Sequence, residues 1–369
     1  MPGSRPQPPP RRAVSARRAR RPPVRRWLLF LLLLAAAGAG AWWYEFQRVV
    51  VAAGQAPTLT VEPGMGARQI GQQLHALGLV HHPEIFRLAV MARGAAGRLK
   101  AGEYALTGPL DLEGIVDKLA RGDVVRRTVT FPEGKNIEEM AELVAPLGMT
   151  PAAFREAARN ASLVADLDPQ ATDLEGYLFP DTYDVTRRPD AAAVLVKRMV
   201  QRFREVMAPQ LPQVQAGGRT VRAVVTLASI VETETARADE RPRVAAVFLN
   251  RLKRGIPLAT DPTIIYALRQ AGRWDGNIRR ADLDIDSPYN TYRRQGLPPG
   301  PIASPGRASL LAAVHPAPGD ELYFVCRNDG THHFSRTFAE HQQAVNHYQR
   351  GRGAAPPEPP PPSPRPPAP

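Results

Sequence analysis

The sequence lacks most of the motifs by which enzymes are easily recognised. With one cysteine in 369 residues, Cys326, an intramolecular disulfide is excluded, and in an oxidising compartment this thiol would have to stay buried. There is no phosphate-binding glycine loop, and no Ser-His-Asp set stands out. Histidines occur in three loose pairs: His81 and His82, His332 and His333, His341 and His347. None has HExxH or Cys/His spacing, so we expect neither a metal ion nor another cofactor.

Acidic residues are absent from the first 26 positions. That segment holds nine arginines and seven prolines, so it carries nine of the net charge of +13 and leaves +4 for the rest of the chain. Such a composition cannot bury enough apolar surface to offset its ordering entropy, and we predict a disordered tail over residues 1–26. The proline-rich residues 351–369 predict a second mobile tail. Because the basic charge lies in a tail and not on a folded face, we expect no nucleic-acid binding.

A long apolar run follows the arginine-rich tail. Trp27–Tyr44 contains no charged residue and would form roughly 27 Å of helix, with two arginines before it and an aromatic cluster at its end. This pattern predicts a single-pass anchor over residues 27–47 with a cytoplasmic N-terminus. A cleavable signal peptide is the competing interpretation, because "AGAGA" offers small residues at the required spacing. Under either interpretation, residues from about 48 onward lie outside the cytoplasm.

Three folded segments are predicted beyond the anchor. Residues 57–127 predict a small α+β module. It begins with a strand, a Pro-Gly turn and an amphipathic helix that has Ile70 and Leu74 on one face. The strand "KAGEYAL" and a helix that ends at Gly122 follow. Residues 128–215 predict a connecting α+β subdomain. From about 216 the composition shifts, and 216–350 is the candidate catalytic domain.

Two acids end an apolar stretch, "LASIVETETARADE", over residues 227–240. The preceding run is too apolar for its periodicity to distinguish a buried strand from a buried helix. If residues 221–234 are helical, Glu232 lies above an alanine and a serine, whereas Glu234 lies above an isoleucine and a valine. Small neighbours leave room for a ligand, so this spacing favours Glu232 as the acid in a cleft.

Several blocks occur together in a recognisable order: "EGYLFPDTY", "ASIVETET", "VFLNRL", "TDPTIIYAL", "SPYNTYRRQGLPPGPIASPG", "AVHPA" and "LYFVCRNDGTHHFS". In this order and spacing the chain resembles the MltG/YceG-like endolytic murein transglycosylases over residues 57–350, with the N-terminal anchor in addition. The resemblance implies an α+β fold with a single transmembrane helix, a small LysM-like module and a mixed α/β catalytic domain.

The resemblance also implies a reaction that needs one carboxyl group. Its catalytic glutamate corresponds to Glu232, with Thr233 where the family commonly has lysine, and Glu234 is then a supporting acid. One glutamate protonates the glycosidic oxygen between MurNAc and GlcNAc, then takes a proton from the MurNAc C6 hydroxyl as a 1,6-anhydro ring closes. An apolar pocket would raise the pKa of such an acid and keep it protonated near neutrality.

Six further residues are candidates for binding the substrate: Tyr289, Asn290, Tyr292, Asn250, Asp261 and Thr263. Tyr289, Asn290 and Tyr292, in "SPYNTY", have two possible roles. They could offer hydrogen bonds and aromatic faces to a sugar, or they could form a tight turn in which the tyrosines pack against the protein. The other three line the cleft or cap secondary-structure elements. "LYFVCRNDGTHHFS" predicts a β-hairpin around Asn-Asp-Gly.

Two other function classes compete with the transglycosylase interpretation. A non-catalytic, membrane-anchored peptidoglycan-binding scaffold is one, and the retained Glu232 argues against it. A hydrolase with two acids is the other, with Asp181, Glu175 or Asp261 as the second carboxylate. The expected partners are peptidoglycan glycan strands and, through the resemblance alone, wall synthases such as penicillin-binding proteins.

Overall fold

The computed structural model describes residues 24–187 and 189–357, and the chain divides into two compact units between Val124 and Val125. The fold is α+β, as predicted, and mostly helical with small antiparallel sheets. Most of the predicted N-terminal tail lies outside the described residues, and the first helix begins at Val24. The predicted C-terminal tail lies outside them beyond residue 357.

The first unit is a small α+β module preceded by a long helix. Its elements are α1 (Val24–Gln47), β1 (Thr58–Val61), α2 (Ala67–Ala76), α3 (Pro83–Ala92), β2 (Gly102–Ala105) and α4 (Leu112–Arg121). The two strands pair antiparallel, with Leu59 opposite Tyr104, and both side chains are buried. The amphipathic α2 turns Ile70 and Leu74 into the same core, as its spacing predicts.

Helix α1 exposes an apolar surface. The window Trp27–Tyr44 has a mean hydropathy of 1.7, and none of it is buried against the rest of the protein. Apolar side chains in this number are favourable only when something other than water covers them. The helix is therefore consistent with a membrane anchor or a signal sequence.

The second unit holds most of the helices and two small sheets. Its elements are β3 (Arg127–Thr130), α5 (Ile137–Leu143), α6 (Pro151–Ala158), β4 (Thr182–Val185), α7 (Ala191–Met207), α8 (Leu211–Ala216), α9 (Val221–Glu234), α10 (Arg241–Lys253), α11 (Asp261–Gln270), α12 (Arg307–Val314), β5 (Tyr323–Cys326), β6 (His332–Ser335) and α13 (Phe338–Tyr348). β3 pairs with β4, and β5 pairs with β6. The predicted hairpin is confirmed, and Asn328 takes the positive φ of 65° that its turn requires. Residues 216–350, expected to form a mixed α/β catalytic domain, are mostly helical and contain one two-stranded sheet, β5 with β6.

Helix α9 is the central helix of this unit. The hydroxyl of Thr220 accepts a hydrogen bond from the amide of Ala223 and caps its start, and every residue from Val224 to Val231 is buried. Helices α8, α10, α11 and α12 pack around it, which explains why its sequence is apolar on all sides. The ambiguous apolar run is thus a buried helix, and its two acids lie in the last turn.

Candidate active site

The last turn of α9 carries Glu232 and Glu234 on opposite sides of the helix. Two positions correspond to a rotation of about 200° at 3.6 residues per turn. The two carboxyl groups therefore face different segments of the protein, and each must be considered with its own neighbours.

The carboxyl group of Glu232 is enclosed by hydrogen-bond donors. Its Oε1 accepts a hydrogen bond from Nη2 of Arg241 at 2.8 Å, and its Oε2 accepts one from the backbone amide of Gly306 at 2.9 Å. Only 4% of the Glu232 side chain and 7% of the Arg241 side chain are exposed. Nη1 of the same arginine lies 3.5 Å from Oε2 of Glu133. Glu232 therefore belongs to a compact ionic cluster that joins α9, the start of α10 and the segment before α12.

Two loops close over this cluster. The amide of Gly134 donates to the carbonyl of Ser304 at 2.9 Å, and the amide of Ser304 donates to the carbonyl of Lys135 at 2.8 Å. A Cβ atom at position 306 would overlap with the carboxyl group of Glu133 in its present position, so a larger residue there would displace that side chain. Burial raises the pKa of Glu232, while the Gly306 amide and the Arg241 guanidinium favour its charged form.

Glu234 lies in the wall of an open cavity. The cavity has a volume of about 520 Å³ and is also lined by Thr260, Asp261, Tyr292 and Arg251. The hydroxyl of Thr260 donates to Oε1 of Glu234. Burial raises the pKa of Glu234, and the nearby charge of Asp261 adds to this effect. The carboxyl group is thus an acid with a raised pKa that borders a space large enough for a ligand.

A threonine network fixes the donor that reaches Glu234. The amide of Thr260 donates to Oγ1 of Thr291 at 3.1 Å, and the Thr291 and Thr263 hydroxyls are 2.8 Å apart. The Thr263 hydroxyl also donates to the carbonyl of Thr260 at 2.7 Å. All three residues are buried, so the Thr260 hydroxyl is held in one orientation before any substrate arrives.

Two of the six predicted substrate-binding residues line the same cavity as Glu234. The hydroxyl of Tyr292 donates to Oδ1 of Asp261 at 2.5 Å, and this pair forms one side of the cavity. Thr263 lies directly behind them in the threonine network. These three candidates come from two blocks that lie about thirty residues apart in the sequence, and the fold brings them together.

The other three candidates bond or pack against the protein itself. The buried side-chain amide of Asn290 donates to the carbonyls of Leu283 and Ile285, each at 2.9 Å. Asn250 donates to the carbonyls of Gly319 and Glu321. The ring of Tyr289 packs against that of Tyr266, with centroids 4.8 Å apart. We assign these side chains a structural role in this conformation, and the bonds of Asn290 agree with the tight turn that the sequence left open.

Sequence reasoning missed Thr260, Arg251, Arg241 and Gly306. Thr260 precedes an Asp-Pro helix start, a pattern that predicts an ordinary helix cap. Nothing in that local pattern connects Thr260 to Glu234, which lies 26 residues earlier in the sequence. Because arginines occur throughout the chain, nothing in the sequence placed Arg241 or Arg251 near either acid. Across residues 24–187 and 189–357, no three His, Cys, Asp or Glu side chains are grouped to hold a metal ion.

A third buried acid, Glu175, lies in the wall of a larger cavity of about 940 Å³. Its Oε2 accepts a hydrogen bond from the amide of Ile137 at 3.3 Å and lies 3.4 Å from the hydroxyl of Tyr266, whereas its Oε1 has no hydrogen-bond partner. Burial raises the pKa of Glu175 from 4.5 to about 8. Asp181, another acid considered from the sequence, is half exposed and pairs with Arg202 at 3.0 Å.

We expect the stability of the protein to depend on pH through Glu175. The folded chain keeps this proton up to about pH 8, whereas the unfolded chain loses it near 4.5. The free energy of unfolding therefore falls as pH rises between these values, by up to about 1.4 kcal/mol per pH unit. Glu175→Gln should remove this slope. Melting temperatures of both proteins between pH 5 and 9 measure it, and identical slopes would contradict a raised pKa.

Comparison with known proteins identifies similar chains. A model of the YceG-like family matches residues 59–347. An endolytic murein transglycosylase of Bacillus subtilis is 30% identical over 314 residues, which cover 79% of this chain and 84% of the relative. One from Streptococcus pneumoniae strain D39 is 30% identical over 321 residues, and the match covers 78% of this chain and 57% of that longer relative.

A solved structure is also similar. The 2.6 Å crystal structure of a YceG-like protein from Listeria monocytogenes aligns with a TM-score of 0.53 at 29% sequence identity. The alignment covers 78% of this chain and 98% of the Listeria chain. The likeness thus extends through the part of the chain that contains both glutamates of α9.

Proposed function

Because the chain belongs to the YceG-like family, we propose that it is an endolytic lytic transglycosylase that cleaves the MurNAc-GlcNAc bond within peptidoglycan strands without using water. Its products would carry 1,6-anhydroMurNAc ends, and cutting inside new strands would limit their length. The main support from the structure is Glu234, an acid in the last turn of α9 whose pKa is raised by burial and whose carboxyl group borders a cavity. An intramolecular ring closure needs such a group and no second carboxylate.

We assign the proton transfers to Glu234. Its raised pKa supports a protonated resting state, in which the carboxyl group gives its proton to the glycosidic oxygen as the bond to C1 of MurNAc breaks. The resulting carboxylate then takes the proton of the C6 hydroxyl as that oxygen bonds to C1, so the acid returns to its starting form. The Thr260 hydroxyl bonds Oε1 of Glu234 and positions the carboxyl group at the wall of the cavity, where a substrate would meet it.

Glu232, favoured by the sequence, stays a competing prediction for the same role. Burial raises the pKa of Glu232 as well, but its two oxygens already accept hydrogen bonds from Arg241 and Gly306, and both donors oppose that rise by favouring the carboxylate. An acid held in this way has to break an ion pair before it can give a proton to a sugar. We therefore propose that Glu232 joins α9 to its neighbours and that Glu234 does the chemistry.

The remaining segments support action at the cell wall. We propose that residues 57–127, in which two paired strands flank α2 and α3, form a LysM-like module that binds glycan, and that 128–215 connects it to a catalytic domain over 216–350. The apolar helix at the N-terminus would anchor the enzyme in the cytoplasmic membrane with these domains outside. Wall synthases such as penicillin-binding proteins are the partners that we propose for a strand-cutting enzyme held there.

Product chemistry tests the proposed function. The full-length chain in detergent is incubated with purified glycan strands in ¹⁸O-labelled water, and the new ends are identified by mass. We expect 1,6-anhydro ends without label. Labelled reducing ends would instead indicate a hydrolase that uses two acids, and binding without cleavage would indicate a scaffold protein.

A further inference from the structure

The larger cavity, at Glu175, lies apart from the proposed chemistry and has no role in it. Residues from the start of α5, the end of α6, the end of α11 and the segment after α11 line its volume of about 940 Å³. Pockets that bind small organic ligands have volumes of a few hundred to about 1,000 Å³. The size is therefore sufficient for a ligand of one or more sugar units.

The charges in this cavity argue against a ligand that is recognised mainly through an anionic group. Three arginines line it, and each is already bonded to a carboxylate of the protein: Arg155 to Glu138 and Glu142, Arg159 to Glu156, and Arg269 to Glu139. Phosphate or carboxylate groups are recognised by guanidinium groups that are free to form paired hydrogen bonds. A ligand of this cavity would have to displace an existing ion pair to obtain one.

The remaining polar groups suit hydroxyl groups instead. Asp173 borders the cavity, and its Oδ1 accepts a hydrogen bond from the Glu175 amide at 2.9 Å. Glu175 is nine-tenths buried, and its Oε1 has no partner. Burial raises its pKa to about 8, which favours the neutral carboxyl group, a form that can both donate and accept a hydrogen bond. Hydroxyl and acetamido groups, such as those of a GlcNAc unit, need such mixed donors and acceptors.

Aromatic rings complete the lining. Trp274 and Tyr266 both border the cavity, and Trp274 is half-buried. Flat aromatic faces pack well against the apolar faces of sugar rings, and a half-buried tryptophan offers such a face at little entropic cost.

Helix α11 connects the two cavities. Asp261, at its first position, borders the cavity of Glu234, and Arg269, near its end, borders the cavity of Glu175. Eight residues of helix span about 12 Å. A polymer held at one end of this helix can thus reach the other end without leaving the surface of the same unit.

We propose that the cavity lined by Asp173, Glu175, Tyr266 and Trp274 is a saccharide-binding subsite for a part of the glycan strand remote from the bond being cut. The proposal rests on the proposed function, and it adds a reason for cleavage within strands, because a strand must be long enough to occupy both cavities. Trp274 and Asp173 bind the strand here, and neither contacts the reacting atoms.

Binding measurements test this subsite separately from catalysis. In the full-length chain carrying Glu234→Gln, calorimetry with MurNAc-GlcNAc oligosaccharides of two lengths, tetrasaccharide and dodecasaccharide, gives the dissociation constants. Trp274→Ala should weaken binding of the dodecasaccharide about tenfold, the usual loss when a buried aromatic contact is truncated, and tetrasaccharide binding should change much less. Trp274→Phe, which keeps an aromatic face, should recover most of the affinity.

Cleavage provides the second measurement. In the otherwise unchanged enzyme, Trp274→Ala should raise KM for long strands and lower the preference for long over short substrates, while Lys253→Ala, an exposed change on α10, serves as the control. If Trp274→Ala binds the dodecasaccharide as tightly as the protein with Trp274, the subsite is contradicted, but the proposed function is not. Normal saccharide binding without any cleavage would overturn the proposed function and leave the subsite. Absence of saccharide binding by every variant would overturn the subsite as well.

Discussion

Glu234→Gln should lower the rate of glycan cleavage by about 10²- to 10⁴-fold, which is the usual contribution of a general acid or base. Glutamine has nearly the same shape and can still accept the hydrogen bond of Thr260, but it can neither give nor take the proton. Because the same group acts in both proton transfers, we expect an effect near the upper end of this range. The measurement is the initial rate of formation of anhydro ends from glycan strands.

Glu232→Gln is the matched control on the same turn of α9. The uncharged amide that it introduces cannot pair ionically with Arg241, so we expect a less stable protein, but the activity per folded molecule should fall less than in Glu234→Gln. The melting temperature of each variant separates loss of folding from loss of chemistry. If Glu232→Gln is inactive although folded and Glu234→Gln is active, the acid is Glu232, as the sequence resemblance implies.

Arg241→Met should destabilise the protein by about 3 to 5 kcal/mol, the usual cost of removing one partner of a buried ion pair. Methionine fills a similar volume but leaves the Glu232 carboxylate in a site where only 4% of its side chain is exposed, with the Gly306 amide as its remaining strong donor. Thermal or denaturant unfolding of the full-length chain measures this loss.

The double variant Arg241→Met/Glu232→Gln should recover much of that stability, because no unpaired charge is then buried. Arg237→Ala provides a surface control, since the bond between Arg237 and Asp239 is exposed and should contribute little to stability. Simple addition of the two single effects in the double variant would contradict the ion-pair interpretation.

The sequence predicted those features of the structure that depend only on residues close together along the chain. The hairpin around Asn328 requires only a turn sequence between two strands, and the long N-terminal helix requires only an uncharged run of sufficient length. The ordered blocks from residue 57 to 350 were enough to identify the family.

The surroundings of the two acids could not be predicted in this way. The sequence argument compared the residues one turn before each acid and concluded that the smaller ones beside Glu232 would leave space. In the fold, Arg241 and Gly306 occupy that space, while the side of Glu234 faces a cavity.

Sequence by itself determined the class of protein, the apolar helix at its N-terminus and the glutamate-bearing turn of α9. Only the tertiary structure decided which carboxyl group meets a cation and which borders a cavity. The physical reason is that the pKa and the accessibility of a buried acid depend on groups from distant segments. Thr260 and Gly306, which bond Glu234 and Glu232, follow these acids by 26 and 74 residues.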